Sequence, residues 1–311
     1  MSEAAVRDNA AWPDAAPTLS VLIPFFRDDP CTLLAALDRE AGAADGRVEI
    51  VTLDDGGGDA GLAARVEAVA AGLSLPCRFI RLDGNEGRAK GRNRLAAQAR
   101  GRWLLFLDSD MLPDDGRFLG AYLDLIAEAA PAVAFGGFSL DQAPRRPEHA
   151  LHRAMALKSD CAPSRVRRLT PEKYVFTSNL LVRRDVFDGE AFDEGFSGWG
   201  WEDVEWAMRV SRRHDILHLD NTATHLGLDP AGVIAAKYEQ SAANFARVAS
   251  AHPDILSGYP SYRAARALKR APLRGLWRPL LKRLALAEGA PLGVRAFSMR
   301  LYRAALYAEA I

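Results

Sequence analysis

The chain has 311 residues, 49% of them hydrophobic and 26% charged, which is enough apolar material for one large domain or two and excludes a disordered or fibrous protein. Its 40 basic and 40 acidic residues cancel overall, yet residues 261–311 hold eleven Lys and Arg against two Glu, so an acidic body carries a tail of net +9. Such asymmetry points to an anionic partner; without an aromatic RNA-binding signature, nucleic acid is not expected and a membrane surface is favoured.

No run reaches the roughly 18 apolar residues of a spanning helix. Residues 1–17 are polar and Ala-rich without a secretory apolar region and are expected to be flexible. The expected location is therefore the cytoplasm, with peripheral contact at the inner face of the plasma membrane as the role of the tail. Cys31, Cys77 and Cys161 are widely spaced and lack a CxxC pair, which indicates neither a disulfide framework nor a zinc site.

From Leu19 onward, apolar and β-branched runs alternate with helical periods. Leu19 to Phe25 precedes a helix from about Pro30, Val48 to Leu53 one from about Asp59, and Phe79 to Leu82 one from about Gly87. With further strands ending at Asp108 and spanning Ala132 to Phe135, this is the βαβ rhythm of a parallel sheet, whose right-handed crossovers place the loops after the strands on one edge. Residues 139–170 turn irregular and basic, with Pro144, Pro147 and Pro163, and predict a flap or insertion. A strand at Tyr174 to Val182, a helix from Trp201 to Arg213, a strand at Ile216 to Leu219 and a helix from Ala231 to about Ala249 follow. The tail from Tyr262 interleaves basic residues with Leu276, Trp277, Leu280, Leu281, Leu284 and Tyr302, the composition of an interfacial amphipathic helix or of a basic extension packed on the body or a dimer partner.

The run Trp103 to Leu107 ends in Asp108-Ser109-Asp110. Two carboxylates one residue apart can reach a hard divalent cation that also carries phosphate oxygens, and the carboxyl ends of parallel strands are where open α/β sheets bind ligands; the same acids also suit the cap of a following helix. After the second strand, Asp54-Asp55-Gly56-Gly57 offers a carboxylate to a base N–H and glycines for close backbone approach, or simply a tight turn. After the third, Gly87-Arg88-Ala89-Lys90-Gly91-Arg92-Asn93 brings basic groups to a helix start, where they complement a diphosphate. It is neither a GxGxxG fingerprint nor a P-loop. Far downstream, Gly198-Trp199-Gly200-Trp201 sets flat apolar faces beside Glu202 and Asp203 at the start of a helix.

With the opening Ser20-Val-Leu-Ile-Pro24, these five ordered motifs resemble a family 2 glycosyltransferase of the GT-A fold over roughly residues 18–250. The resemblance implies an α/β, Rossmann-like, mixed but mostly parallel sheet with helices on both faces, plus a basic helical C-terminal extension. It divides the chain into a donor half at about 18–137, a flap at 139–170, an acceptor half at 171–250 and a tail at 251–311.

The resemblance also implies roles. Asp110, more weakly Asp108, and His225 of Thr222-Ala-Thr-His225 would hold Mn²⁺ or Mg²⁺. Asp55 or Asp54 would read the base beside Pro24 and Phe26, while Arg88, Lys90, Arg92, Asn93, Asp108 and Ser109 would line the donor. Asp203 would be the general base, Glu202 would orient the acceptor, and Gly198, Trp199 and Trp201 would face the sugar or acceptor. His149, His152, His214 and His218 match no motif and are taken as structural. The expected activity is a metal-dependent, inverting transfer from a nucleotide-diphosphate sugar, most simply UDP-linked, to a saccharide or lipid-linked acceptor. A nucleotidyltransferase would share the sheet and metal carboxylates but leave Gly198 to Asp203 without a role. A catalytically silent sugar-binding subunit would not need Asp108, Asp110 and Asp203.

Overall fold

Each long apolar run becomes a strand because it is buried on both faces, the condition of a sheet covered by helices. The computed structural model describes residues 4–270 and 274–311, excluding the side chains of 274–276. Its strands are β1 (Ala4–Asp8), β2 (Leu19–Phe25), β3 (Val48–Asp54), β4 (Cys77–Leu82), β5 (Trp103–Phe106), β6 (Met111–Pro113), β7 (Val133–Phe135), β8 (Phe138–Ser139), β9 (Leu180–Arg183), β10 (Ile216–His218) and β11 (Ala223–His225). The main sheet runs β1-β4-β3-β2-β5-β9-β7-β10, and β6-β11-β8 form a second, smaller sheet.

β2, β3, β4 and β5 are parallel, β10 is parallel to β7, and β9 lies antiparallel between β5 and β7. Alternate residues feed opposite layers. Val21 and Ile23 join one core with helices Cys31–Asp38, Ala60–Ala71 and Phe118–Ala129, whereas Leu22 joins another with helices Arg88–Gln98 and Glu202–Val210. From β2 the chain builds outward through β3 and β4, then returns to the other side of β2 as β5. That reversal between β2 and β5 opens a crevice beyond their carboxyl ends, at Pro24–Phe26 and Asp108–Asp110.

Two expectations change. The N-terminal segment is not a loose arm: Ala4–Asp8 pairs antiparallel with β4, and Arg78 grips Asp8 through Nε at 2.7 Å. Asn9 extends the anchorage, its amide donating to Leu73 and Leu75 carbonyls and its oxygen accepting from Cys77 N–H. The edge of β4 would otherwise leave a row of unpaired backbone groups, which explains the pairing.

The tail is likewise part of the body. Helices Pro260–Lys269, Arg274–Leu286 and Leu292–Ala310 pack with helix Ala231–Ala251 into a third core that buries Phe245, Met299, Tyr302, Leu306 and Tyr307. Tyr302 and Leu281, expected on an interfacial face, point inward. Trp277, Leu280 and Leu284 remain exposed at helical spacing, while the side chain of Leu276 lies outside the described residues. All three cysteines are free, and no helix among the described residues is long and apolar enough to cross a membrane.

Candidate active site

A cavity of about 570 Å³ opens at the crevice between β2 and β5 and runs under helix Ala231–Ala251 to the C-terminal helix. From the donor half it is lined by Pro24, Phe26, Asp55, Arg88, Arg92 and Asp108–Asp110, and from the acceptor half by Trp199 to Asp203 and His225. Residues more than 100 positions apart thus face one space.

The small sheet creates the first juxtaposition. β11 pairs antiparallel with β6 so that His225 stands opposite Met111, and Leu226 N–H donates to the Asp110 carbonyl at 2.9 Å. His225 Nε2 lies 3.1 Å from Asp110 Oδ2. Burial works against charge on both groups, but their mutual contact outweighs it, holding the Asp110 carboxyl below and the His225 imidazole above the ordinary range. Gly227 leaves the space they need, because a Cβ there would collide with the Asp110 carboxylate.

The 3.1 Å contact is a hydrogen-bonded ion pair; because two ligands of one octahedral ion at 2.1 Å also stand roughly 3.0 Å apart, the same two groups would fit a single Mn²⁺ or Mg²⁺ once the imidazole gives up its proton. No third His, Cys, Asp or Glu joins them among the described residues. Asp108 is engaged elsewhere: Arg92 Nη2 donates to it at 2.6 Å.

Arg92 joins the two halves. Its buried guanidinium also lies 3.7 Å from Glu202, and Arg88 lies 3.6 Å from the same carboxylate. The Nε–H of Arg92 is buried without an acceptor among the described residues, a spare donor at the cavity wall. The two arginines are therefore held by acids from both halves, placed where a diphosphate would add negative charge.

Asp55, not Asp54, reaches the cavity. Asp55 accepts from the N–H groups of Glu86 and Gly87 at 2.8 and 3.0 Å and from the Asn85 amide at 2.9 Å, tying the second strand's loop to the third. Burial raises its pKa despite those bonds. Asp54 instead closes its own turn by accepting from Gly57 N–H at 3.0 Å. Ser109 is buried at the wall. Lys90 is exposed and outside the cavity, and Asn93 is a tether, bonded to both the N–H and carbonyl of Phe192.

On the acceptor side, Gly198, Gly200 and Trp201 all take positive φ, at 71°, 84° and 79°. Glycine does so freely; a tryptophan there costs on the order of 1–3 kcal/mol. Surrounding contacts hold that conformation. Asn244 donates to the carbonyls of Ser197 and Gly200, both at 2.9 Å, and Trp201 Nε1–H donates to the Tyr307 hydroxyl at 3.0 Å. Trp201 also packs on Phe245, which stacks on Tyr307 at 4.0 Å between centroids. Trp199 leans on Tyr238, whereas Gly198 is exposed and does not line the cavity.

This strained turn starts helix Glu202–Val210 and aims Asp203 into the cavity. Burial, then the neighbouring Glu202 charge, pushes the Asp203 carboxyl up to about 7. Glu205 is committed elsewhere, to Arg209 at 2.9 Å and His252 at 3.0 Å, and does not enter the cavity.

Several lining residues escaped the sequence reading. His152, taken as structural, accepts from Asp229 N–H at 2.8 Å and also lines the cavity; its ring stands 5.9 Å from that of His225, and burial with the nearby His225 charge pushes it down to about 4. Asp28, Arg300, Arg303 and Tyr307 also line the cavity. None sits in a motif; only the positive sign of the tail hinted at the arginines.

Comparison with known proteins bears on the family and the fold. The model of glycosyl transferase family 2 matches residues 20–189. An uncharacterized glycosyltransferase of Bacillus subtilis (strain 168), YfnE, is 34% identical over 93 residues, 30% of this chain and 23% of that protein, so the match spans under a quarter of its length. Among solved structures, the mannosyltransferase PcManGT of Pyrobaculum calidifontis, in complex with GDP-Man and Mn²⁺, has a TM-score of 0.57 at 15% identity, covering 97% of this chain and 89% of that one. S. aureus TarS 1-349 has a TM-score of 0.52 at 19% identity, covering 92% and 89%, and has also been solved with UDP. These likenesses give the GT-A fold. The family match takes in β2 apart from Leu19 and every strand from β3 to β9, more than half of the sequence, and the chain belongs to glycosyl transferase family 2.

Proposed function

We propose that this glycosyltransferase moves a sugar from a nucleotide-diphosphate donor, most simply UDP-linked, to an acceptor hydroxyl in a single inverting displacement. The observation that carries the reading is Asp203: one carboxylate, raised to about 7, facing the same cavity as Asp110, His225, Arg88 and Arg92. A base is most effective when its pKa lies near the working pH. Deprotonated Asp203 would accept the proton of the acceptor hydroxyl as its oxygen bonds to the anomeric carbon and the bond to the diphosphate breaks. One attack inverts the centre, so a second catalytic carboxylate is not required.

The donor would lie across the β2–β5 crevice, with its base beside Pro24, Phe26 and Asp55 and its phosphates toward Arg88 and Arg92. Support comes from the two structural neighbours solved with UDP and with GDP-Man. Asp110 and His225 would hold Mn²⁺ or Mg²⁺, which when bound neutralises charge on the departing diphosphate. Glu202, held by both arginines, keeps Asp203 raised and orients the acceptor, with Trp199 and Trp201 offering flat faces to sugar rings.

Asp203→Asn tests the assignment: UDP affinity should persist while turnover falls by ~10²–10⁴-fold. A fall of less than about tenfold with normal binding would place the base elsewhere.

The exposed Trp277, Leu280 and Leu284, beside Arg278, Lys282 and Arg283 on helix Arg274–Leu286, suit peripheral contact with an anionic membrane such as the inner face of the plasma membrane. Replacing Leu280 and Leu284 with Ser should weaken sedimentation with anionic liposomes; unchanged sedimentation would remove the membrane from the account.

A further inference from the structure

Beyond Trp199 and Trp201 the cavity changes sign. At its reaction end Asp28, Asp108, Asp110, Glu202 and Asp203 outnumber and pair with Arg88, Arg92 and His225, whereas the rest of the lining includes half-buried Lys173, Arg300 and Arg303 and exposed Lys158, with Asp160. Lys237 also lines the cavity but is paired to Asp229 at 2.6 Å.

The C-terminal helix supplies the two arginines one turn apart, so both side chains leave the same face. Arg303 lies over the Tyr238 ring at 5.1 Å, and Tyr238 is the residue on which Trp199 rests at 6.0 Å. This fixes the basic wall directly behind the aromatic face. Lys173 sits over the rings of Tyr174 and Tyr259, at 4.9 and 5.9 Å. Among the described residues, Arg300 and Lys158 have no carboxylate within ion-pair distance. Asp160 is therefore outnumbered, and burial raises its pKa against the lowering influence of Arg303, His225 and Arg300.

Cations gathered in a concave, partly desolvated space without matching acids are costly unless an anion joins them. A guanidinium pair presents forked donors that match the planar or tetrahedral oxygens of a carboxylate or phosphate. The donor diphosphate has its own arginines, Arg88 and Arg92, at the far end, so it does not account for this wall.

We infer that the acceptor is anionic, a sugar bearing a phosphate or carboxylate, and that Arg300 and Arg303 receive its charged group. The inference rests on the reading of Trp199–Asp203 as the acceptor face. It makes the C-terminal helix a specificity element as well as a packing one: a neutral acceptor leaves the wall unpaired.

The test uses the full chain saturated with UDP and MnCl₂, so that the donor phosphate site is filled. Glucose 1-phosphate, methyl β-glucuronide and methyl β-glucoside are titrated by calorimetry. At least one anionic sugar should bind about tenfold or more tightly than the neutral glucoside, as expected for hydrogen bonds to charged groups. Whichever anion binds better identifies phosphate or carboxylate. Arg300→Gln with Arg303→Gln should erase the preference while leaving UDP affinity unchanged. Arg303→Lys, which keeps the charge and the packing stem, should reduce the preference and serves if the double variant does not fold. Equal binding of all three sugars, no binding of any, or a preference that survives the variants would overturn the inference. Failure of the wild-type chain to bind UDP would instead count against the donor reading.

Discussion

In the donor half, the groups that face the cavity sit at the ends of consecutive parallel strands, so Pro24, Asp55 and Asp108 are positioned by local sequence and a simple crossover. In the acceptor half, the cavity wall is assembled from a strained turn at Trp201, a small strand carrying His225, and a helix that begins at Leu292. The first construction is braced by near neighbours, Asp55 by the loop at Asn85–Gly87 and Asp108 by Arg92 of the preceding helix. The second depends on contacts between segments far apart in the chain, with Tyr307 bracing Trp201 two residues before the proposed base. Chemistry that must be rigid on one side and selective on the other is divided between them accordingly.

The sharpest way to break this contrast is to remove the C-terminal helices. Truncation before Tyr262 takes away Met299, Tyr302, Leu306 and Tyr307, which share a core with Phe245, and with them the cavity-lining Arg300, Arg303 and Tyr307. Sugar transfer and donor hydrolysis should both be lost and the melting temperature should fall markedly. A truncated chain that melts like the parent and hydrolyses donor would show the tail to be an appendage.

A smaller effect is expected at the junction of the two halves. Gly227→Ala would push the Asp110 carboxylate away from His225. Disturbing the support of a metal ligand typically costs about 10–100-fold in metal affinity. Mn²⁺-dependent UDP binding should weaken to that degree; equal UDP affinity with and without EDTA in the parent chain would dissolve the metal assignment.

The mildest perturbation is Tyr307→Phe, which keeps the stack on Phe245 and deletes the hydroxyl that accepts from Trp201 and shares a bond with Ser241. It should cost about 1 kcal/mol of stability. Turnover should drop while UDP affinity stays constant, because the donor strands do not feel the change. Equal turnover would mean that Trp201 holds its turn without the C-terminal helix.

The same contrast explains what could be read from the sequence. β2 was readable to its end residues because a seven-residue run with Val21 and Ile23 is too short for a buried helix and of the right length for a strand. Asp108-Ser109-Asp110 and Glu202-Asp203 were readable because residue type and strand or helix end coincide. β6, β8 and β11 were not readable: at two or three residues each they carry no period, yet they bring His225 to Asp110. The basic tail showed its charge but not its direction, since amphipathic helices facing a lipid and facing a cavity share one pattern. Asp54 and Asp55 are equivalent in sequence, and only the backbone turn decides that Asp55 faces the cavity. Glu205 shows the converse, an acid beside the site whose charge is consumed by Arg209 and His252.

On the proposed function, Asp203, lifted to about 7 by burial and by Glu202, takes the acceptor proton. The most direct test is the pH dependence of kcat/KM in the parent and in Asp203→Asn. Because the base works deprotonated, activity in the parent should fall about tenfold for each pH unit below 7 and level off above it. The residual activity of the variant should lack that limb. A limb of the same slope and midpoint in both proteins would contradict the account and assign the proton to another group.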